Sequence, residues 1–140
     1  MNKRYVVGFM YTLAGSVALV RKSRPHWQIG LLNGIGGKIE EGESPVQAQV
    51  REFREETGVE THEGDWVFRG TLSGIGWEIF LFASQSDVEM PLVNSDPTEP
   101  CDWYPRNPLP SDTVPNLRWL VPFCIESPVD PVAFYQGTHE

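Results

Sequence analysis

Glu52, Glu55 and Glu56 stand at spacing i, i+3, i+4, which on an α-helix puts three carboxylates on one side. Left alone, such groups repel one another by a few tenths of a kcal/mol per adjacent pair. Carboxylate oxygens are hard donors suited to Mg²⁺ or Mn²⁺, and a divalent cation would turn the repulsion into binding. The alternative is a solvated acidic face. Two neighbouring features favour the cation. Gly34, Gly36 and Gly37 precede the helix and let the backbone come close to a ligand. Arg51 sits beside the carboxylates, placed to pair with Glu43 and hold the preceding loop against the helix.

The helix that must carry these groups is bounded by recognisable signals. Ser44 is a cap, Pro45 suits the first helical position, and Gln47 completes a capping box. Gly58 supplies the left-handed residue that ends it. Val46, Val50 and Phe53 share the face opposite the glutamates and are expected to pack inward.

The rest of the chain reads as strands around this helix and one more. Tyr5–Tyr11 and Ser16–Val20 suit two buried strands joined by a short turn. Trp27–Leu32 is expected to be a strand leading into the glycine loop. Trp66–Leu72 and Trp77–Ala83 form a hairpin across Ser73-Gly74-Ile75-Gly76. Residues 84–100 read as a long surface loop, Asp102–Tyr104 as the start of another strand, and Asn107–Asp112 as a proline-rich turn. A late helix is expected to be capped at or near Thr113, with Pro115 in its first turn and Leu117, Leu120 and Val121 facing inward. Pro122 should kink or shorten it. Pro131–Gln136 reads as the last strand and Gly137–Glu140 as a frayed tail. Strands around two helices predict an α/β/α sandwich with a mixed sheet, as a single domain over residues 1–140.

Composition narrows the partners. A net charge of −8 over 140 residues argues against a nucleic-acid polymer, whose phosphates call for a basic face. Arg21, Lys22 and Arg24 nevertheless form a local basic rim that suits a small anion. Cys101 and Cys124 are too few and too far apart for a zinc cluster or a disulfide framework, in keeping with a cytoplasmic protein. Lys3 and Arg4 precede an apolar run, as in a leader peptide, but Thr12, Gly15 and Ser16 interrupt that run, and it is short for a membrane span.

Gly37, Glu43, Arg51-Glu52-Phe53, Glu55-Glu56 and Gly58-Val59 together give G-x5-E-x7-R-E-U-x-E-E-x-G-U, with U apolar. This resembles the Nudix box, the signature of hydrolases acting on nucleoside diphosphates linked to another moiety. The resemblance implies the same sandwich fold. It also implies a cation held by Glu55, Glu56 and the Gly36 carbonyl, with Glu52 either a further ligand or the general base. Some members take the base from a later loop, where Glu99 is the candidate here. Lys38, directly after the paired glycines, would contact phosphate oxygens as a point charge.

The segment Asn33–Glu40 is similar to the MutT-type branch, which cleaves nucleoside triphosphates to monophosphate and pyrophosphate. That likeness implies base contacts from Asn33, from Trp27 as an aromatic wall, and from Asn116, which aligns with one of two base-reading aspartates. The chain departs from that pattern at Leu117, the second aspartate position, and at Val114, a stacking tryptophan in those relatives. No proline or tyrosine lies between Val59 and Met90, where relatives acting on ADP-ribose or diadenosine polyphosphates carry one. The expected activity is therefore cytoplasmic, Mg²⁺- or Mn²⁺-dependent hydrolysis of a small nucleoside triphosphate, as a monomer or homodimer. The alternatives are a Nudix pyrophosphatase for a nucleotide-sugar or dinucleotide, and a nucleotide-sensing domain without turnover.

Overall fold

The computed structural model describes residues 2–127 and 130–136. Its elements run β1 (Lys3–Thr12), β2 (Ser16–Arg21), β3 (Leu32–Asn33), β4 (Ile35–Lys38), α1 (Pro45–Thr57), β5 (Val67–Gly74), β6 (Trp77–Ser86), β7 (Cys101–Pro105), α2 (Leu117–Glu126) and β8 (Val132–Tyr135). One mixed sheet carries the order β3-β2-β1-β6-β5-β8, with β4 paired to β1 and β7 to β2. β1 runs parallel to β6 and β5 parallel to β8, while β4 lies antiparallel to the first half of β1.

The alternation of β1 and β2 decides which helix covers which face. Val6 and Met10 of β1, with Ala18 and Val20 of β2, pack with Ala48 and Phe53 of α1. Phe9 of β1, with Val17 and Leu19 of β2, packs with Leu117, Leu120 and Val121 of α2. Successive side chains on a strand point to opposite faces, so each apolar run supplies both cores. The result is the α/β/α sandwich that the sequence predicts.

Helix α1 begins and ends where its signals stand. Ser44 Oγ accepts the Gln47 amide, the Gln47 side chain answers to the Ser44 amide, and Gly58 closes the helix at φ 75°. Phe53 meets Trp66 edge-on at 5.1 Å, tying the helix to the start of β5.

Three expectations are corrected. Trp27–Leu32 is not a strand: His26–Gln28 forms a 3₁₀ turn, Gly30 reverses the chain at φ 81°, and only Leu32–Asn33 pairs in the sheet. Thr113 does not cap α2, because it bridges to Leu32; the helix starts at Leu117 with Asn116 before it, so Pro115 lies outside. Pro122 does not shorten α2, which continues to Glu126. Within the long loop, β6 extends to Ser86 and residues 87–100 hold no regular element. They are ordered by Asn94 and Asp96 side chains accepting the Asp96 and Thr98 amides, both at 2.9 Å. The tail at Gly137–Glu140 lies outside the described residues. No helix among the described residues is long and apolar enough to cross a membrane.

The Gly36 position is dictated by β1. A Cβ there would run into the Val6 carbonyl oxygen, so any other residue must push β4 off β1. Gly36→Ala should lower stability by about 3 kcal/mol, the upper part of the usual range for overpacking. The shift in the urea midpoint measures it, and an unchanged midpoint would show that the two strands can separate freely.

Candidate active site

Arg51 organises the acidic face of α1. Its Nε and Nη2 grip the Glu43 carboxylate at 2.6 and 3.0 Å, a bidentate pair from the loop to the helix. Nη1 reaches Glu52 at 2.8 Å and Glu55 at 3.1 Å, and Nη2 also donates to the Lys38 carbonyl at 3.0 Å. One guanidinium thereby holds the loop, two of the three glutamates and the end of β4 in register.

The glutamates are neighbours in unequal surroundings. Glu52 lies against Gly37, where a Cβ would strike its carboxylate, so this glycine makes room for the acid. Burial raises the Glu52 pKa, Arg51 opposes the rise, and Glu55 adds to it. Glu55 is the exposed member. Glu56 turns inward, and its pKa is pushed up to about 8, first by burial and then by the charge of Glu52; Lys22 and the Gly36 amide pull it down, and Glu99 pushes it up. Glu56 Oε2 is buried and has no hydrogen-bond partner.

Glu99 arrives from the long loop and is 4% exposed. Its Oε2 accepts the Ser23 amide at 2.8 Å and the Ser23 hydroxyl at 3.0 Å, and its Oε1 lies 3.5 Å from Lys22 Nζ. Burial alone would raise its pKa. The Ser23 amide, Lys22, the Ser23 hydroxyl and Arg24 outweigh burial and lower it, so the group stays ionised.

In this side-chain arrangement the acids do not form a closed cage. Among the described residues no three His, Cys, Asp or Glu side chains converge as a metal-binding group, and Glu52 and Glu55 are engaged by Arg51. The donor set nevertheless fits a hard divalent cation. An unpartnered buried carboxylate oxygen, crowded by two further carboxylates, lacks a positive charge more than it lacks a hydrogen bond.

A pH dependence follows for the protein without metal. A carboxyl with a raised folded pKa stabilises the fold only while protonated, so stability falls as pH rises from about 4.5 to about 8 and levels off above. Glu52 acts in the same direction, whereas Glu43 and Glu99, with lowered pKa values, lose their contribution at acid pH. In chelator, the urea midpoint should be lower at pH 8.5 than at pH 5.5, and saturating Mg²⁺ should reduce the difference. An equal or higher midpoint at pH 8.5 would contradict the placement of Glu56.

In front of Gly34 and β4 opens a cleft of about 1020 Å³. Gly36, Trp27, Asn33, Lys38 and Asn116 all line it, whereas Glu52, Glu55, Glu56, Arg51 and Glu99 are not among its lining residues. Lys3, Lys22, Arg24 and Lys38 contribute four basic side chains to its lining and no acid among the described residues joins them, a local inversion of the chain's negative charge. Trp27, 63% exposed on its 3₁₀ turn, offers a free aromatic face. Arg21 leaves the basic rim to bond the Gly30 carbonyl at 2.9 Å and Asp112 at 2.8 Å, tying two loops together.

Two residues escaped the sequence reading. Gln49 is fully buried on α1, donates to the Ile35 carbonyl at 3.0 Å and fills the space left by Gly8. Its position between Val46 and Phe53 on the apolar face was the available signal. Gln28 lines the cleft and accepts from Asn33 Nδ2 at 3.1 Å, a contact that no local pattern announces.

The molecule is thus an α/β/α sandwich in which an acid-faced helix backs a basic cleft. The NUDIX domain model matches residues 1–122, and the chain belongs to that family, whose hydrolases generally use divalent metals. It is 40% identical over 62 residues to a CTP pyrophosphohydrolase of Escherichia coli (strain K12), a match covering 44% of this chain and 46% of that protein. It is 30% identical to an RNA pyrophosphohydrolase of Agrobacterium fabrum, covering 59% of this chain and 62% of the relative. The chain thus spans about half to three-fifths of the length of these two relatives. Among solved structures, a MutT protein from Bacillus halodurans superposes with TM-score 0.69 at 23% identity over 96% of this chain and 90% of its own. A MutT NUDIX hydrolase from Burkholderia pseudomallei gives 0.73 at 16% identity over 86% and 96%. At these identities the structural likeness speaks for the fold alone.

Proposed function

We propose that this protein, as a single cytoplasmic domain, hydrolyses a nucleoside triphosphate to the monophosphate and pyrophosphate. Mg²⁺ would serve as its cofactor, with Mn²⁺ as a substitute. The observation that carries the reading is the buried, unpartnered Glu56 oxygen on a side chain that meets Gly36 of β4, a residue that also lines the basic cleft. A phosphate chain in that cleft meets lysines and backbone on one side and carboxylates just beyond. The names of the two sequence relatives, one for CTP and one for RNA, both describe pyrophosphohydrolases. The net charge of −8 favours the free nucleotide over a polymer.

In this reading Glu55, Glu56 and the Gly36 carbonyl hold the cation, with Glu52 as a further ligand or the general base. A divalent ion held there supplies charge neutralisation on the phosphate chain and acidifies water. Lys38 and Lys22 balance phosphate charge, and Arg51 keeps Glu52 and Glu55 aimed. Glu99, held ionised by Ser23 and Lys22, is the second candidate base. Trp27 stacks on the base, and Asn33 and Asn116 line the cleft that receives it.

A panel of ribo- and deoxynucleoside triphosphates run against ADP-ribose and diadenosine polyphosphates tests the substrate class. Triphosphates should turn over fastest, each releasing pyrophosphate. Faster cleavage of the linked dinucleotides would move the protein to the other substrate class, and tight binding without product would make it a sensor.

A further inference from the structure

Asn33 Oδ1 accepts the Gly34 amide at 2.8 Å. A backbone N–H can only donate, so this bond decides which end of the Asn33 carboxamide is oxygen. Nδ2 must then face the other way, and it donates to Gln28 Oε1 at 3.1 Å. That second bond fixes Gln28 in turn: its oxygen is turned back onto Asn33, and Nε2 is the end left for the cleft that Gln28 lines. The main chain around Gln28 is also held, its amide on the Pro25 carbonyl and its carbonyl on the Leu31 amide, both at 2.9 Å. The Gly34 amide, between β3 and β4, thereby sets the polarity of a side chain two links away.

The geometry points to Gln28, oriented through Asn33, as the specificity-determining residue that reads the nucleotide base, its Nε2 donating to an acceptor on the base edge. Asn33 then acts as a positioning residue for Gln28. This inference rests on the reading of the cleft as a nucleotide site. It carries a consequence that direct contact by Asn33 does not. Asn33→Asp still accepts from Gly34 but offers Gln28 an acceptor where a donor stood. Gln28 must turn its amide over to meet it, presenting oxygen to the cleft in place of nitrogen.

The test is calorimetric binding of the α,β-methylene analogues of CTP, UTP, ATP and ITP. The proteins are the wild type, Asn33→Asp, Gln28→Leu and the double variant, each checked by thermal melting. Within each pair, CTP with UTP and ATP with ITP, an amino group is exchanged for a keto group and the adjacent ring nitrogen changes from acceptor to donor. Whichever member the wild type favours, Asn33→Asp should move the affinity ratio toward the other by roughly tenfold or more in at least one pair, the scale of one buried hydrogen bond gained or left unmade. In the Gln28→Leu background that shift should vanish. An equal loss across all four analogues, or the same shift persisting without Gln28, overturns the inference; the latter would make Asn33 itself the reader. Binding of no analogue by the wild type overturns it together with the nucleotide reading. Binding without pyrophosphate release from the parent triphosphates defeats only the hydrolase reading and leaves the ratio test in force.

Discussion

Glu56→Gln should lower turnover of the best triphosphate by about 10²–10³-fold or more, the cost of losing a charge-stabilising group at a phosphoryl site. The fold should survive, and without metal it should become more stable. At pH 8.5, above its raised pKa of about 8, the wild-type carboxyl is mostly ionised while buried beside Glu52 and Glu99, and the neutral amide removes that burden. The gain is on the order of a few kcal/mol, since each pKa unit between about 4.5 and about 8 corresponds to about 1.4 kcal/mol. At pH 5.5, where the wild-type group is already protonated in the fold, the gain should shrink. A variant that is inactive yet more resistant to urea at high pH is the signature of a ligand whose partner is a cation. Near wild-type turnover would remove Glu56 from the site.

Arg51→Met should show the opposite signature, losing stability and activity together. The substitution leaves Glu43 and Glu52, each less than a fifth exposed, without their shared cation, and leaves the Lys38 carbonyl without its donor. Breaking such a mostly buried network by removing one partner costs about 2–4 kcal/mol, scaled down from a fully buried pair for the remaining solvent. In a chain of this size that corresponds to a drop of roughly 5–15 °C in melting temperature. Turnover should fall by about 100-fold or more, because Glu52 and Glu55 lose the group that aims them. Arg51→Lys should recover little, since one ammonium cannot reproduce a bidentate grip on Glu43 together with bonds to three further partners. By contrast, the open Arg24–Asp96 pair can be removed without moving the melting temperature. Equal effects at the two arginines would mean that Arg51 is an ordinary surface pair.

What could be read from residues alone was the part governed by local rules. Ser44, Gln47 and Gly58 mark the ends of α1 because capping depends on neighbours within one turn. The alternation of β1 and β2 divides the core between two helices because strand side chains have a period of two. The failures were long-range. Thr113 looked like a cap, but its backbone pairs with Leu32, eighty-one positions away. Trp27 and Ile29 looked like strand residues, yet they are 63% and 57% exposed on a turn that Gly30 reverses. Gln49 gives no core signal because it is polar, although helical spacing puts it on the buried face. The carboxylates themselves were legible by spacing. Their unequal environments were not, because Glu56 faces Lys22, Glu99 and the Gly36 backbone, all far from it in sequence.

The most direct test of the account is product analysis of triphosphate hydrolysis by the wild-type protein, with Mg²⁺ and again after exhaustive chelation. The expected result is nucleoside monophosphate and pyrophosphate in equal amounts with the metal, and loss of both without it, restored by adding Mg²⁺ back. Turnover that continues undiminished in chelator, or release of orthophosphate and nucleoside diphosphate in place of pyrophosphate, would contradict it.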